Sequence, residues 1–550
     1  MRSAARSRIA PRLRWLLHPY LLFLLAAFAV WWPDGFNIGP VNDGWVNLAR
    51  SSFLPTDFNT RTFSSFFFRA LGMRIVPDGF QGWQAILFVP TVLRGILMFE
   101  IIKRLFPRHG LFAIACGLIA LFHPADISYF WLDSSGIGCA LVFALAAILC
   151  AVIHLQTGSR ASLLCMALFQ LASCFTYTAF LLVILAVPAL VWLQQRLAGR
   201  PAPFPYLFKT SVLICAFIVF QVILTLNGSG HEAVVIDMSL RGVIAGYAHE
   251  TGLFLHSVGQ FLTPFMSSYL PIGLVVAAFA YAVAFSLSAA DVGEGQADAR
   301  IPLRSAAVLV AGLLALAALS YLPYAVSNVR FGGQRQMLAA GVFMYMLLLL
   351  PVFFLLLPWL KSRHIGSAVV AFIALYVTVT GLQVRMIWVD AYRAEEHLLA
   401  AVAAVIPDPA PGSVIVVNLD SPAQVREIEA YTNRKGTFEQ ALRVMYGDDS
   451  LQAGFTDFEQ PPFLFSSTGL EVKAQRPVNK GLIAPYGRLI LLDYPSSGPA
   501  RILDRAWLQQ RAPKGTDLSA YGQGAYGSAP GKAAIICTML EKDSRPAYCD

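Results

Sequence analysis

Charged residues are scarce in this 550-residue chain. Asp, Glu, Lys and Arg make up 13% of the sequence, whereas soluble globular domains carry about 25%. Hydrophobic residues make up 57%, and the mean hydropathy is +0.61. This composition excludes an ordinary soluble protein and indicates a chain embedded in a membrane.

Metal and nucleotide motifs are missing as well. The eight cysteines show no zinc-site spacing, and most of them lie inside apolar runs. A GxGxxG match at 522–527 is followed by too little chain for a βαβ unit, and Gly531-Lys532 precedes Ala533 where a phosphate loop needs Ser or Thr. The net charge of +9 is spread over short loops rather than gathered in one stripe, so no nucleic-acid partner is expected.

Apolar runs of about twenty residues, long enough to cross ~30 Å of hydrocarbon, recur over the first two thirds of the chain. They predict about eleven transmembrane helices, near 16–32, 82–105, 110–128, 134–155, 161–176, 178–195, 207–227, 268–288, 304–326, 336–360 and 366–385. The fifth and sixth form one apolar block, in which the polar run 173–178 predicts a turn.

The positive charges in the loops predict the orientation of this bundle, because short cytoplasmic loops carry an excess of Lys and Arg. With the N-terminus in the cytoplasm, the cytoplasmic side holds sixteen: Arg2, Arg6, Arg8, Arg12, Arg14, Lys103, Arg104, Arg108, Arg160, Arg196, Arg200, Lys209, Arg300, Arg304, Lys361 and Arg363. The external loops before residue 386 hold seven: Arg50, Arg61, Arg69, Arg74, Arg241, Arg330 and Arg335. The counts predict a cytoplasmic N-terminus.

The sequence changes character after Arg385. A helical pattern at 391–406 is followed by alternating and β-branched residues typical of strands. These strand patterns lie at 413–418, 488–492 and 533–537. We therefore expect residues 1–385 to form a membrane all-α bundle, with a first external loop at 33–80, and residues 386–550 to form an extracytoplasmic α/β domain.

Two cysteines lie in polar sequence within this last part. Cys537 and Cys549 could form one disulfide if their end of the chain faces an oxidising compartment.

The first external loop contains a candidate reactive carboxylate. Asp43 begins a short run in which Trp45 and Leu48 can share one apolar face, so the run could lie along the membrane surface. Asp43 is then either the N-cap of that segment or a carboxylate at the water–lipid boundary that accepts a proton from a sugar or protein hydroxyl.

Further polar residues follow two later helices. His123 and Asp126 end the third helix and Asp133 begins the fourth. They serve either as turn and capping residues or, together with Trp45, as the lining of an acceptor pocket beside Asp43. Arg330 and Arg335 precede the tenth helix on the external side. They either neutralise lipid phosphate or grip a departing phosphate by paired hydrogen bonds.

The order of these features resembles a known family over residues 15–360. The Asp of the first external loop is followed by Arg94 in the second helix, the run 103–107, the Leu-Phe-His-Pro exit at 121–124, the Trp131 entry, the block 175–188 and a late helix led by Arg. This layout resembles the GT-C superfamily of lipid-linked-sugar glycosyltransferases, near its protein O-mannosyltransferase and aminoarabinose-transferase branch.

The resemblance implies a GT-C-like fold, a polyprenyl-phosphate-linked sugar as donor and an envelope glycan or protein as acceptor. The family's catalytic Asp carries over to Asp43, which would act as general base on the acceptor hydroxyl. Its late-loop Arg carries over to Arg335, which with Arg330 would stabilise the departing lipid phosphate.

The chain departs from the family at two places. Asn42 and Gly44 flank Asp43, where the family often has two adjacent acidic residues, and Thr176-Tyr177 stands where many relatives carry a Glu. The smaller acidic set argues against a divalent metal, the one cofactor that the resemblance leaves open.

Three other functions stay open. An O-antigen polymerase or ligase also has many helices and outward sites, although a large C-terminal soluble domain is unusual there. A transporter is expected to show broken helices and internal repeats, of which the sequence has no convincing example. A non-catalytic membrane scaffold is compatible with the reduced acidic set.

Overall fold

A computed structural model describes most of the chain. The described residues are 17–41, 44–45, 71–72, 74–76, 80–177, 180, 195, 201, 215–216, 219, 239–259, 268–290, 303–326, 337–360, 362–419, 424–425, 428–429, 437–456, 463–472, 482–495, 499–522 and 526–527.

Long apolar helices dominate residues 17–405. They are α1 Pro19–Trp31, α2 Gln81–Leu105, α3 Gly110–Leu121, α4 Ser135–Thr157, α5 Arg160–Thr176, α6 Leu240–Gly259, α7 Leu270–Ala290, α8 Leu303–Ala325, α9 Met337–Leu360 and α10 Arg363–Val405. Within the described part of the chain, α2, α4, α7, α9 and α10 are long and apolar enough to cross a membrane. The protein is therefore mostly helical, and its helices are those of a membrane protein.

The predicted count of eleven helices stays a prediction. Two of the predicted helices, 178–195 and 207–227, lie almost wholly outside the described residues. Helix α6 was not predicted, because its buried positions are largely Gly, Ser and Glu, which produce no peak of hydropathy.

Two helices end at different places from those predicted. Helix α3 ends at Leu121 rather than at residue 128, because Phe122 is extended and His123 precedes Pro124, which disfavours helical backbone. Helix α10 does not end at 385. It runs on through a segment rich in Ala, Leu and Glu to Val405, just before Pro407.

The 43 residues of α10 extend about 65 Å at ~1.5 Å per residue, about twice the thickness of the hydrocarbon layer. The predicted domain boundary at 385 and 386 therefore lies within one continuous helix. That residues 386–550 form a separate external domain stays a prediction.

The chain after α10 contains short strands and two helices. The strands are β1 Asp408–Pro409, β2 Val414–Leu419, β3 Gln424–Val425, β4 Ile428–Glu429, β5 Gln452–Thr456, β6 Phe463–Phe465, β7 Gly469–Val472, β8 Leu482–Pro485, β9 Leu489–Tyr494, β10 Arg501–Ile502 and β11 Tyr526–Gly527, and the helices are α11 Thr437–Tyr446 and α12 Arg505–Gln509. The predicted strand 533–537 lies outside the described residues.

Strand β2 is the centre of a four-stranded sheet with the order β10-β9-β2-β5. It pairs in parallel with both β5 and β9, and Val414 is the register partner of Gln452 and of Leu489. Alternate residues of a strand point to opposite faces, so the run Val-Ile-Val-Val-Asn-Leu supplies two cores.

One of these cores, here called the junction core, joins the sheet to the end of α10 and to the first loop. Its buried residues are Trp45, Leu398, Leu399, Val402, Ala403, Ile406, Ile415, Val417, Leu419, Phe438, Ala441, Leu442, Met445, Tyr446, Leu451, Ile490 and Leu492. The Tyr446 hydroxyl donates to the Ile406 carbonyl at 2.6 Å, which satisfies a backbone acceptor where α10 ends. The C-terminal sheet is therefore packed on α10 rather than tethered by a linker.

Small residues allow α2 and α3 to approach closely. A Cβ added at Gly117 would lie 2.9 Å from the Gly95 carbonyl oxygen and against the Phe23 ring of α1. Such contacts between small residues are typical of helix pairs in membranes.

We expect Gly117→Ala to lower the thermal midpoint of the detergent-solubilised protein by several degrees, because one of its contacts is a backbone oxygen that cannot rotate away. The matched variant is Gly252→Ala, since a Cβ at Gly252 meets nothing within 4 Å. There, the higher helix propensity of Ala, worth up to ~1 kcal/mol, should leave the midpoint unchanged or raise it. Equal effects in the two variants would contradict the close approach.

Candidate functional site

Four polar and aromatic side chains form a row on one face of α10. Arg385, Trp388, Tyr392 and Glu395 follow one another at spacings of three and four residues, which places them on a single side of a helix. We call them the α10 row. They contact two segments that lie between the long helices, 32–45 after α1 and 122–134 after α3.

Arg385 binds the C-terminal end of α1. Its Nη1 donates to the carbonyl oxygens of Val30, at 3.3 Å, and Trp32, at 2.8 Å. Its Nη2 lies 3.6 Å from a carboxylate oxygen of Asp34, and the guanidinium carbon lies 5.5 Å from the centre of the Tyr269 ring. Cations are stabilised at helix C-termini because unpaired carbonyls point towards them. The side chain is 3% exposed, so this contact is internal.

The rest of the α10 row holds the two segments in place. The Trp388 indole donates to the Ile127 carbonyl at 2.6 Å. The Trp45 indole donates to a carboxylate oxygen of Glu395, also at 2.6 Å. Tyr392 packs directly against Gly39, where any Cβ would overlap its ring. One helix face therefore contacts both segments that carry candidate site residues.

Hydrogen bonds within the second segment bury its polar groups. The Asp126 Oδ1 atom accepts from the backbone N–H of Ser128 at 2.8 Å and from its hydroxyl at 2.6 Å. The Tyr129 hydroxyl donates to the His123 carbonyl at 2.9 Å and accepts from the His123 N–H at 2.5 Å. The side chains of His123 and Asp126 are 1% and 0% exposed.

Arg94 of α2 stabilises the start of this segment from inside the bundle. Its Nη2 donates to the Thr91 hydroxyl at 3.2 Å and to the Leu121 carbonyl, the last of α3, at 3.4 Å. Its guanidinium carbon lies 5.7 Å from the centre of the Tyr129 ring. The contact repeats the arrangement at Arg385, with a buried guanidinium at the end of a short helix.

His123 Nδ1 and Asp126 Oδ2 are both buried, and neither makes a hydrogen bond within the described part of the chain. The His123 Nε2 lies 3.2 Å from the Leu338 carbonyl, which can only accept, so the ring proton sits on Nε2 and Nδ1 keeps its lone pair. Burial lowers the pKa of His123 to about 3, so the ring is neutral.

Burial also raises the pKa of the Asp126 carboxyl to about 6, although the two hydrogen bonds from Ser128 act to lower it. A carboxyl group that titrates near neutral pH can both accept and donate a proton. The second segment therefore contains a neutral imidazole and a carboxyl group that titrates near neutral pH, and both are buried.

The structure places some of the predicted site residues and not others. Trp45, His123 and Asp126 are all buried, and their segments meet on the α10 row. Asp133 lies in the one-turn 3₁₀ helix Leu132–Ser134. Five predicted residues lie outside the described residues: Asp43, Arg330, Arg335, Cys537 and Cys549.

Sequence reasoning missed the α10 row. The helical spacing of Arg385, Trp388, Tyr392 and Glu395 was present in the sequence, but hydropathy ended the membrane helix at 385. A search for polar and aromatic residues three and four apart across that point would have found the row. No cluster of three or more His, Cys, Asp or Glu residues suited to a metal ion occurs within the described ranges.

Comparison with known proteins finds a distant structural similarity. No family model matches the chain, and no curated protein matches it. Among solved structures, the chain is similar to ArnT from Cupriavidus metallidurans bound to undecaprenyl phosphate, with 16% sequence identity and a TM-score of 0.35. The match covers 78% of this chain and 88% of that chain. At this degree of similarity two proteins need share neither a reaction nor a substrate.

Replacing Arg385 by Met should destabilise the protein markedly. The carbonyls of Val30 and Trp32 would lose their donor, and a buried unpaired acceptor costs about 1 to 3 kcal/mol. We expect a clear fall in the thermal midpoint and in the yield of folded protein. Arg393→Met is the matched control, since Arg393 lies on the same helix and is exposed. A midpoint for Arg385→Met as high as that of the control would refute the carbonyl-binding role.

The raised pKa of Asp126 predicts a pH-dependent difference between the protein and Asp126→Asn. A carboxyl whose pKa is about 6 when folded and 3.8 when unfolded contributes stability that is present below pH 3.8 and lost as pH rises through 6. The loss is at most ~3 kcal/mol. The thermal midpoint of the wild type, relative to that of Asp126→Asn, should therefore fall between pH 4.5 and pH 7.5. A constant difference over that range would rule out the shifted pKa.

Proposed function

We propose that this protein is a membrane glycosyltransferase, which moves a sugar from a polyprenyl-phosphate-linked donor to an acceptor on the outer face of the cytoplasmic membrane. One observation carries the proposal. The chain on either side of Asp43 is anchored in the protein interior, on the same helix face that binds the segment of His123 and Asp126.

The anchoring of the first segment is specific. Val41 and Trp45 are 1% and 3% exposed, and the Gly44 N–H donates to the Val41 carbonyl at 3.1 Å. The Ile38 carbonyl accepts from the Gln84 side chain of α2 at 2.8 Å. The segment is therefore held before and after residues 42 and 43, as the attachment of a reactive side chain requires.

In the proposed reaction, the bond between the sugar carbon C1 and the phosphate oxygen breaks and its electron pair leaves with the polyprenyl phosphate. A bond forms between C1 and the acceptor oxygen, whose proton passes to the Asp43 carboxylate. Arg335, with Arg330 beside it in sequence, stabilises the departing phosphate, since electrostatic stabilisation is usually the largest catalytic contribution. His123, Asp126 and Asp133 contribute to the pocket that receives the acceptor.

The membrane helices support a lipid-linked donor. A polyprenyl chain dissolves in the bilayer, so its sugar phosphate is presented at the water–lipid boundary, where a loop that directly follows a membrane helix can reach it. The acceptor, an envelope glycan or protein, then approaches from the aqueous side.

Asp43→Asn should reduce sugar transfer by about 10² to 10⁴-fold, because the amide cannot take the acceptor proton. The measurement is transfer in membranes, with mass spectrometry of envelope glycans from a deletion strain identifying the sugar that is lost. Asp449→Asn, at an exposed turn residue, is the matched control and should transfer at the wild-type rate.

Equal amounts of protein in the membrane for both variants would show that insertion is intact. Undiminished transfer by Asp43→Asn would overturn the role of this carboxylate. A deletion strain with complete envelope glycans would overturn the transferase.

A further inference from the structure

Trp45 belongs to two parts of the molecule at once. It lies in the first external loop, two residues after Asp43, yet its side chain is buried in the junction core with residues of α10, β2 and α11. Apolar members of that core include Leu398, Leu399 and Phe438. The loop is therefore packed into the core of the C-terminal sheet.

A single hydrogen bond determines where in that core the indole sits. Trp45 Nε1 donates to Glu395 Oε2 at 2.6 Å, and both side chains are buried, Glu395 with 0% exposure. An indole N–H in an apolar core needs an acceptor, and a buried carboxylate needs donors. If the indole ring shifted within the core, its N–H would lose the Glu395 carboxylate as acceptor. The hydrogen bond therefore fixes the position of the ring, in addition to the packing that buries it.

The α10 row contacts the same segment a second time. Tyr392 lies one helical turn before Glu395 and packs against Gly39, where any side chain would overlap the Tyr392 ring. Tyr392 therefore meets the chain before residues 42 and 43 and Glu395 meets it after them. Both contacts come from one rigid helix that continues into the junction core.

We propose that Glu395 is a positioning residue, which through Trp45 holds the loop of Asp43 against α10 and makes the C-terminal sheet part of the apparatus that aligns the reactive carboxylate. This inference rests on the proposed function, since it takes Asp43 as the base. It assigns the C-terminal residues a role in the reaction: the junction core captures the loop.

The chemistry of transfer makes such a device effective. A general base must lie within hydrogen-bonding distance of the acceptor hydroxyl, and a displacement of about 1 Å can cost on the order of 100-fold in rate. Loss of the Trp45–Glu395 bond should thus affect the rate of the chemical step more than the binding of donor or acceptor.

Three variants of the full-length protein in proteoliposomes test the proposal. Trp45→Phe removes the donor and keeps an aromatic ring, and Glu395→Leu removes the acceptor. Glu395→Gln keeps a carbonyl oxygen that can accept from the indole. The matched controls are Trp359→Phe, whose ring is 70% exposed, and Glu471→Leu, at an exposed position of β7.

Two quantities are measured for each variant. The first is sugar transfer, as kcat and KM, and the second is hydrogen exchange of the peptide 41–48, with peptides of β2 and β9 as a check on folding. For Trp45→Phe and Glu395→Leu, kcat should fall about 10- to 100-fold with little change in KM. Hydrogen exchange in peptide 41–48 should accelerate in these two variants, while β2 and β9 stay protected. Glu395→Gln should keep most of the wild-type kcat and most of the wild-type protection of peptide 41–48.

The outcomes separate this inference from the proposed function. If hydrogen exchange in peptide 41–48 is unchanged in both Trp45→Phe and Glu395→Leu, the positioning role is overturned, whatever the activity of the variants. Faster exchange with unchanged kcat would also overturn it, while leaving the transferase in place. An active wild type whose Asp43→Asn variant is equally active would instead refute the assignment of the base on which the inference rests.

Discussion

Backbone carbonyls at the ends of two short helices are the constraint on which the rest of the structure depends. Helices α1 and α3 contain 13 and 12 residues, so they extend only about 20 Å and 18 Å, less than the thickness of the hydrocarbon layer. Their last carbonyls therefore end inside the protein, where water does not satisfy them. Arg385 and Arg94 supply the missing donors. Each buried guanidinium is stabilised in turn by the carbonyls, since they carry partial negative charge.

The positions of these two ends determine the candidate site. The segments 32–45 and 122–134 begin where the short helices stop, and α10 holds both of them with side chains of one face. Backbone polar groups that are buried in a protein interior need partners within the protein. Trp388 donates to the Ile127 carbonyl, Tyr392 packs against Gly39, and Asp126 and His123 are themselves buried. The ends of α1 and α3 thus determine where these two segments begin.

The sequence predicted those parts of the fold that hydropathy controls. The cores of α2, α4, α7 and α9 lie where apolar runs predicted them, because burial in lipid demands such runs. The C-terminal end of α10 could not be predicted from hydropathy. From Leu398 onward its buried apolar residues belong to the junction core, and helix propensity rather than hydropathy carries the helix to Val405.

Only the local features of the candidate site were predicted from the sequence. Trp45, His123 and Asp126 were recognisable as polar or aromatic residues beside helix ends, and all three are buried. Trp45 pairs with Glu395, 350 residues away, and the His123 ring pairs with the Leu338 carbonyl, 215 residues away. No local sequence pattern indicates contacts over such separations. Glu395 in particular is one of two adjacent glutamates in a helical run, and only the folded chain distinguishes the one that meets Trp45.

The distance along the chain between Trp45 and Glu395 has a consequence for biogenesis. The two residues are 350 positions apart, and chains are synthesised at about 5 to 20 residues per second, so Glu395 is made roughly 20 to 70 s after Trp45. During that interval the first loop has been synthesised, but the residues of the junction core that bury Trp45 have not. A newly inserted chain therefore passes through a stage in which the membrane helices are in place and the loop is still unanchored, and the protein matures only when its last third has been made.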